Sequence, residues 1–325
     1  MSEAPTISVV IPAYEAAGTI AEAVGSALSQ DPPPHQVIVA DDGSGDALEQ
    51  ALAPFRPDQV SLLRLPHAGV SASRNAACRE AAGEFVLFLD ADDVLLPGKL
   101  AALGWLAGEH PDLDILATDL WFELDGRRSG RFGEANAFPS AEEQRRTILE
   151  RCFVAQAAVR RSRLLALGGF DESLRTGEDW DCLLRLVLDG SVAGFDAAPL
   201  AVYRIHDGSL TSSRAETFRD RVRILEKALA NPDLRQDERP IAEQMLAIQH
   251  ARAALGDAQA AVAEDGPDVR QRGLALARAS GGSPRDRACG LGLFAGPAFL
   301  RPWLGRRLGG RSQLSRRLPT AKASR

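Results

Sequence analysis

Residues 85–93 read FVLFL-DADD, five apolar residues followed by three acids and an alanine. An unbroken apolar run of this length predicts a strand buried on both faces, as in a parallel sheet. The acids then lie at the carboxyl end of that strand, where open α/β sheets bind their ligands. Asp90 and Asp92 are two residues apart, so in extended backbone their side chains point the same way. Paired carboxylates predict a site for Mg²⁺ or Mn²⁺, ions that also hold substrate phosphates.

Strand-like and helix-like segments alternate on both sides of this stretch. Before it, the pattern predicts strands at 7–11 (stopped by Pro12), 36–40 and 60–65, and helices at 19–29 and 71–82. After it, we expect a helix from Pro97 to 109, a strand at 114–118, a loop or hairpin at 120–138, a helix at 141–151, a strand at 155–160, a turn at 168–172, a helix at 178–188 and a strand at 199–205. This alternation predicts an α/β fold, a doubly wound and mostly parallel sheet with helices on both faces.

The last third of the chain has a different pattern. From Ser212 onward it is helical in period and rich in Ala, Leu and Arg, with a break at Asn231-Pro232 and another at Gly266-Pro267. We predict three parts: a sheet-containing domain over 1–212, a C-terminal helical region over 213–300 and a flexible basic tail over 301–325.

The charge is distributed unevenly. The net charge is −6, but residues 301–325 hold eight of the 38 basic residues and no acid. Residues 1–300 therefore carry 30 basic and 44 acidic residues, a balance of −14. An acidic body argues against nucleic acid as a partner. The tail is either a contact for a membrane surface or a partner, or a disordered end.

Cysteine usage and hydropathy indicate the compartment. The four cysteines form no C-x-x-C pair and are expected to be buried reduced thiols. No signal peptide opens the chain, and no stretch approaches the roughly 20 apolar residues of a spanning helix. We expect a cytoplasmic protein, either free or peripheral at the inner face of the plasma membrane through its basic tail.

Other predicted strands also end in residues suited to binding. The segment Pro12-Ala13-Tyr14-Glu15 follows the first strand, and Asp42 follows the second. In a doubly wound sheet these loops converge with Asp90 and Asp92 on one crevice. A tyrosine ring offers a nucleobase an apolar plane, and a carboxylate accepts hydrogen bonds from a base N–H or a ribose hydroxyl. Asp42 by itself is more typical of a turn, but the convergence favours a nucleotide site.

Seven segments share a familiar order and spacing: ISVVIPAY (7–14), ADDGS (40–44), RN (74–75), GEF (83–85), DADD (90–93), GFDE (169–172) and GEDWD (177–181). Together they resemble the family 2 glycosyltransferases of the GT-A fold, from about residue 6 to about 212. The resemblance implies inverting transfer of a sugar from a nucleotide-sugar donor with a divalent metal. It implies donor binding by Pro12, Tyr14, Glu15, Asp42, Arg74 and Asp90, metal binding by Asp92, Asp90 and His206, and catalysis by Asp179 with Glu178 in reserve.

Inversion defines the task of Asp179. The acceptor hydroxyl attacks the anomeric carbon opposite the nucleotide, and a carboxylate within hydrogen-bond reach takes its proton. A metal carries the charge of the leaving group, so no acid is needed there. Glu178 and Asp179 begin a predicted helix, whose dipole favours their ionised form. The alternative is a helix cap with ordinary first-turn acids.

Further side chains have two interpretations each. Trp180 either stacks on an acceptor sugar or packs in the core. Arg74 either reaches a donor phosphate or pairs with Glu80 or Asp90. The basic loop Arg204–His206 either touches the diphosphate or metal, or is structural.

We therefore predict an inverting glycosyltransferase that uses Mg²⁺ or Mn²⁺ to move a sugar from a nucleotide-diphosphate sugar to a saccharide or lipid-linked saccharide. The resemblance implies bacterial surface polysaccharide or glycolipid synthesis. One alternative is a non-catalytic sugar-nucleotide-binding scaffold, against which the intact acidic positions argue. Another is a nucleotidyltransferase, which would place a Gly-rich, Arg-containing loop where this chain has residues 12–15.

Overall fold

The computed structural model describes residues 5–45, 47–205, 214–263 and 268–295. These residues separate into two compact units. The first comprises the described residues up to Ser173 together with Glu178 to Ile205, and the second comprises Leu174–Gly177 and the described residues from Arg214. The domain boundary predicted near residue 212 and the basic tail over 301–325 lie outside the described residues.

The first unit is built on one sheet. Its strands are β1 (Ile7–Ala13), β2 (Gln36–Asp41), β3 (Ser61–Arg64), β4 (Phe85–Phe88), β5 (Val94–Leu95), β6 (Leu113–Leu124), β7 (Arg127–Arg131), β8 (Ala158–Arg160) and β9 (Val192–Ile205). They lie in the order β3-β2-β1-β4-β8-β6-β9-β5, with β7 paired to β6. The β3-β2-β1-β4 run and the β6–β9 pair are parallel, whereas β5, β7 and β8 pair antiparallel with their neighbours. The α/β class is confirmed, with the antiparallel pairs confined to the later strands.

Eight described helices connect these strands: α1 (Ile20–Leu28), α2 (Ala47–Leu52), α3 (Val70–Glu80), α4 (Lys99–Glu109), α5 (Phe132–Ala135), α6 (Gln144–Glu150), α7 (Arg161–Ala166) and α8 (Glu178–Leu188). α1 buries Ile20, Ala23, Val24 and Ala27, a spacing that puts one apolar stripe against the core. All seven residues of β1 are buried, because β2 and β4 flank it in the sheet and α1 and α3 pack against it. Each large apolar side chain buried here contributes about 1.5–3 kcal/mol.

Two local predictions were wrong. β1 does not stop at Pro12 but continues through it to Ala13. The pairing of β1 with β4 ends at Val10, so beyond that point a proline without an N–H is tolerated on the unpaired side. The acids after β4 are also not in extended backbone, because Asp93 N donates to Asp90 O at 3.1 Å and closes a turn.

The second unit is helical in its described part. It contains α9 (Arg214–Ala230), α10 (Arg239–Ala263), α11 (Val269–Arg278) and α12 (Pro284–Ala295). α11 and α12 cross closely where Gly290 faces Gly273: a Cβ on Gly290 would lie 2.5 Å from Gly273 O, so a side chain there would separate the helices. No helix in the described ranges is both long and apolar enough to cross a membrane.

Candidate active site

Two hydrogen bonds join the segments at the carboxyl ends of β1 and β2. Asp42 N donates to Ala13 O at 2.8 Å, and Glu15 N donates to Ser44 Oγ at 2.9 Å. Glu15 has a φ of 51°, a left-handed conformation that turns the chain at the end of β1. Tyr14 is left 53% exposed, and its ring stacks on that of His67 with centroids 4.3 Å apart. The two rings form an accessible aromatic surface at this edge of the sheet.

The Asp42 carboxylate lies beneath this surface and is almost fully buried. It accepts hydrogen bonds from Ala68 N at 2.8 Å and Gly69 N at 2.9 Å, and His67 Nδ1 lies 2.9 Å from it. Gly69 precedes the first turn of α3. Asp42 therefore fixes the start of α3 and the position of the His67 ring. These contacts correspond to the turn-forming interpretation of Asp42 given in the sequence analysis.

Arg74, one and a half turns into α3, binds three carboxylates. Its Nη2 donates to Asp90 Oδ1 at 2.8 Å, and its Nη1 donates to Glu178 Oε1 at 2.8 Å and to Asp179 Oδ1 at 3.0 Å. The guanidinium group is 4% exposed and also lies over the Phe170 ring. Burial by itself lowers the pKa of Arg74, but the three carboxylates outweigh it and raise that pKa above its ordinary value. Of the two interpretations of Arg74, ion pairing with Asp90 is confirmed, whereas no contact with Glu80 is found.

Glu178 and Asp179 are separated by the geometry of α8. The helix begins at Glu178, as predicted, and the two side chains leave it about 100° apart. The Glu178 carboxylate is 11% exposed, whereas that of Asp179 is 58% exposed. Desolvation by the surrounding protein raises the pKa of Asp179 to about 7. The attraction of Arg74 lowers this pKa, and repulsion from Glu178 and Asp90 raises it further. Because the side chain is 58% exposed, water in the open cleft screens part of its interaction with these charges. Asp179 is therefore the accessible acid of the pair.

One cavity joins these groups. Arg74, Asp90 and Asp179 line it together with residues 154–157 and Cys182. Asp90, in the turn after β4, and Asp179, in α8, are thus brought together although they are 89 positions apart in the sequence. Trp180 points away: it is 6% exposed and its Nε1 donates to Ile148 O, so the core interpretation is confirmed. Cys78, Cys182 and Cys289 are buried, as predicted, whereas Cys152 is only partly buried.

The motif at residues 169–172 forms the predicted turn, and Asn75 holds it. Asn75 Oδ1 accepts from Phe170 N at 2.7 Å and its Nδ2 donates to Phe170 O at 2.9 Å. Gly169 has a φ of +77°, and a Cβ there would lie 2.3 Å from Asn75 Oδ1. Only glycine fits, so the turn places Phe170 under Arg74.

Three residues beside the acids were given no role from the sequence: Asp93, Gln156 and Tyr203. Asp93 is 1% exposed and accepts hydrogen bonds from Gln156 Nε2 and from Arg204 N. Burial and the neighbouring Asp90 raise its pKa well above the ordinary range. Tyr203 makes an edge-to-face contact with Phe122. Burial raises the pKa of Tyr203, and the negative charge of the nearby carboxylates raises it further. Only the adjacent acid Asp93 carried a signal in the sequence, as the last residue of DADD.

Arg204 belongs to the late basic loop and is engaged within the protein. Its guanidinium donates to Glu22 at 2.7 and 2.8 Å, to Glu123 at 3.1 Å and to Asp92 O at 3.3 Å. Arg204 is itself part of β9, so its contact with Asp92 O joins the acidic turn to that strand, and its contacts with Glu22 and Glu123 join β9 to α1 and β6. His206, the other predicted member of this loop, lies outside the described residues.

The acidic turn has the chemistry of a divalent-cation site. Asp90 is 39% exposed and lines the cavity, whereas Asp92 is partly exposed and is not among the residues that line it. Carboxylate oxygens are the hard ligands that Mg²⁺ prefers. Within the described residues no three His, Cys, Asp or Glu side chains are grouped to hold a metal by themselves. One or two carboxylates combined with substrate phosphates are the usual Mg²⁺ arrangement, so Asp90 and Asp92 fit a metal that arrives with a diphosphate.

Comparison with known proteins identifies the family. The model of glycosyl transferase family 2 matches residues 8–165, which include β1, β2, α3, β4 and the acidic turn. The chain belongs to this family, and its first unit has the GT-A fold.

One curated relative and two solved structures show how far the similarity extends. The chain is 29% identical over 234 residues to the succinoglycan biosynthesis protein ExoO of Rhizobium meliloti (strain 1021); the alignment covers 65% of this chain and 64% of that protein, less than two thirds of its length. Staphylococcus aureus TarS 1–349, solved with UDP-GlcNAc, aligns with a TM-score of 0.63 at 22% identity over 92% of this chain and 86% of that one. The mannosyltransferase PcManGT of Pyrobaculum calidifontis, solved with GDP-Man and Mn²⁺, gives 0.60 at 22% identity over 93% and 88%. At these identities the two structures establish only the fold of this chain.

Proposed function

We propose that this protein is an inverting glycosyltransferase that moves a sugar from a nucleotide-diphosphate sugar to a hydroxyl of a saccharide or lipid-linked saccharide in polysaccharide synthesis. One observation carries the proposal: Arg74 holds Asp90, an acid of the DADD turn, and Asp179, an accessible acid on a different element, in one cavity. A donor diphosphate and an attacking hydroxyl need such groups on opposite sides of the anomeric carbon.

The donor nucleotide would bind at the carboxyl ends of β1 and β2. Tyr14 supplies an exposed ring for the base, and the stacked His67 ring keeps that surface rigid. Pro12 lies at the end of β1, Glu15 turns the chain after that strand, and Asp42 N donates to Ala13 O between them. The structural neighbours were solved with UDP-GlcNAc and with GDP-Man, which supports a nucleotide-sugar donor for this chain.

Asp92 and Asp90 would hold Mg²⁺ or Mn²⁺ with the donor diphosphate. Bound there, the ion supplies Lewis-acid neutralisation of the diphosphate as it leaves. The Asp92 backbone carbonyl is held by Arg204, and Asp90 is held by Arg74, so both acids are positioned before any ligand binds. PcManGT was solved with Mn²⁺, which supports the use of a divalent metal.

Asp179 would be the general base. Its Oδ1 is held by Arg74, which orients the carboxylate so that Oδ2 can accept the proton of the acceptor hydroxyl. Glu178 is buried against the same guanidinium and is less suited to contact an acceptor. A base whose pKa is raised toward neutrality binds the proton more readily in the transition state.

The first experiment is a transfer assay with UDP-, GDP- and dTDP-sugars, each with and without Mn²⁺, combined with a thermal-shift screen. Asp179→Asn should lower kcat by about 10²–10⁴ while nucleotide-sugar binding persists. The matched control is Asp189→Asn, because Asp189 lies just beyond the other end of α8 and pairs with Arg163; it should leave transfer unchanged. In the wild type, kcat/KM should fall as the pH drops below about 7, where Asp179 takes up a proton.

Two results would contradict these assignments. Transfer by Asp179→Asn within a few-fold of wild type would show that another group is the base. A wild-type protein that transfers from no donor and binds no nucleotide would instead favour the scaffold alternative.

A further inference from the structure

Gln156 has an unusual backbone conformation. It lies between α6 and β8 with a φ of 47°, in the left-handed region that a long side chain rarely occupies. Residues held in such conformations cluster at binding and catalytic sites, where the surrounding structure keeps them in place.

Buried groups hold both the backbone and the side chain of Gln156. Lys99, whose side chain is fully buried, donates from Nζ to Thr118 Oγ1 at 2.9 Å and to Gln156 O at 3.4 Å. The Gln156 side chain donates from Nε2 to the carboxylate of Asp93. Both the backbone and the amide of Gln156 are therefore fixed by buried groups.

The other end of the amide has no partner in the protein. Five buried side-chain polar atoms in the described part of the chain lack a hydrogen bond, and Gln156 Oε1 is one of them. Because the amide nitrogen faces Asp93, the oxygen faces the other way. Gln156 lines the same cavity as Arg74, Asp90 and Asp179. A buried amide oxygen without a partner is costly, so a ligand that satisfies it gains affinity and specificity.

We infer that Gln156 is a sugar-binding residue whose Oε1 accepts a hydrogen bond from a hydroxyl of the transferred or the receiving sugar. The inference rests on the proposed function, since it needs a sugar in the cavity beside Asp90 and Asp179. A sugar hydroxyl is the neutral donor expected at this position: an anion would be repelled by the surrounding carboxylates, and a purely apolar group would leave the oxygen unsatisfied.

The test uses Gln156→Asn and Gln156→Gly in the full chain. Asparagine keeps the amide and tolerates the left-handed backbone, but withdraws the oxygen by one methylene. Glycine removes the amide and relieves the backbone, so its folding is not endangered by strain. The matched control is Gln30→Asn, a buried glutamine whose amide is fully engaged with Ser26 O, Leu96 O and Leu100 N. Thermal melting verifies that each variant is folded.

Calorimetry with Mn²⁺ would compare UDP with UDP-GlcNAc and GDP with GDP-mannose, and steady-state assays would give the acceptor KM. If Gln156 contacts the donor sugar, both variants bind the nucleotide sugar about 10-fold more weakly but the nucleoside diphosphate as wild type does. If it contacts the acceptor, donor affinity is kept and the acceptor KM rises about 10-fold. The Gln30→Asn control should change neither.

Wild-type values within about twofold for both quantities in the Gln156 variants would overturn the inference and leave the proposed function intact. Failure of the wild-type protein to bind or use any nucleotide sugar would overturn the proposed function itself, and the role of Gln156 with it.

Discussion

Replacing Arg74 by methionine should destabilise the protein in a pH-dependent way. The guanidinium is 4% exposed and is the common partner of Asp90, Glu178 and Asp179. Methionine fills much of the same volume but leaves the carboxylates facing one another without a counter-charge.

The magnitude follows from the exposure of each partner. Asp90 and Asp179 are 39% and 58% exposed, so water screens these pairs and each contributes less than about 1 kcal/mol. Glu178 is 11% exposed, and removing one partner from such a buried pair costs about 3–5 kcal/mol. We therefore expect the free energy of unfolding to fall by about 3–5 kcal/mol at pH 8.

The pH dependence has a definite sign. Without Arg74, the clustered acids bind protons more tightly in the folded than in the unfolded protein, so stability decreases as the pH rises. The difference from wild type should be smaller near pH 4, close to the ordinary pKa values of Asp and Glu of about 3.9 and 4.3, because the clustered acids can then take up protons. It should grow toward pH 8, where the acids are ionised.

Urea unfolding followed by tryptophan fluorescence in metal-free buffer would measure this. Three of the four tryptophans, Trp105, Trp121 and Trp180, lie in the sheet-containing unit, so the signal reports on it. Arg56→Met is the matched control, because Arg56 and Asp58 form a pair that is 71% exposed on both sides; its effect should stay below about 1 kcal/mol. A deficit for Arg74→Met that is equal at pH 4 and pH 8 would refute the electrostatic reasoning.

Two further predictions concern Asp92 and Lys99. Asp92→Ala should weaken Mn²⁺-dependent binding of UDP or GDP while leaving metal-free binding unchanged, and an identical calorimetric titration with Mn²⁺ would remove its metal role. Burial lowers the pKa of Lys99 to about 7, so wild type should lose up to about 4 kcal/mol of stability relative to Lys99→Met as the pH falls from 10 to 7. Parallel stability curves for the two proteins over that range would contradict this.

The sequence predicted the fold best where the hydrophobic period was long. α1 and α8 begin and end within a residue of their predicted limits, because an apolar stripe and first-turn acids mark them. The short elements α2, β5 and α7 were missed, since two to six residues give no measurable period. The strand predicted at 114–118 is part of the longer β6, which continues into a hairpin because β7 and β9 satisfy its backbone.

The candidate site was predicted in part. Acids at strand ends can be recognised from one apolar run and the residues after it, and Asp90 does lie in the cavity. The pairing of Arg74 with Asp90 was among the predicted alternatives. Its pairing with Glu178 and Asp179 could not be predicted, since they are 104 and 105 positions away. Gln156 has no local pattern at all. Its left-handed backbone depends on Lys99 and Asp93, which reach it from other elements.

The choice between Glu178 and Asp179 shows what only three dimensions can decide. In the sequence they are equivalent acids at the start of one helix. The rotation of about 100° per residue turns one carboxylate into the wall beside Arg74 and leaves its neighbour open to the cleft. The buried acid can then fix the guanidinium, and the guanidinium in turn orients the exposed acid through Oδ1. A protein that needs an oriented base therefore gains from having both acids, because one secures the group that positions the other.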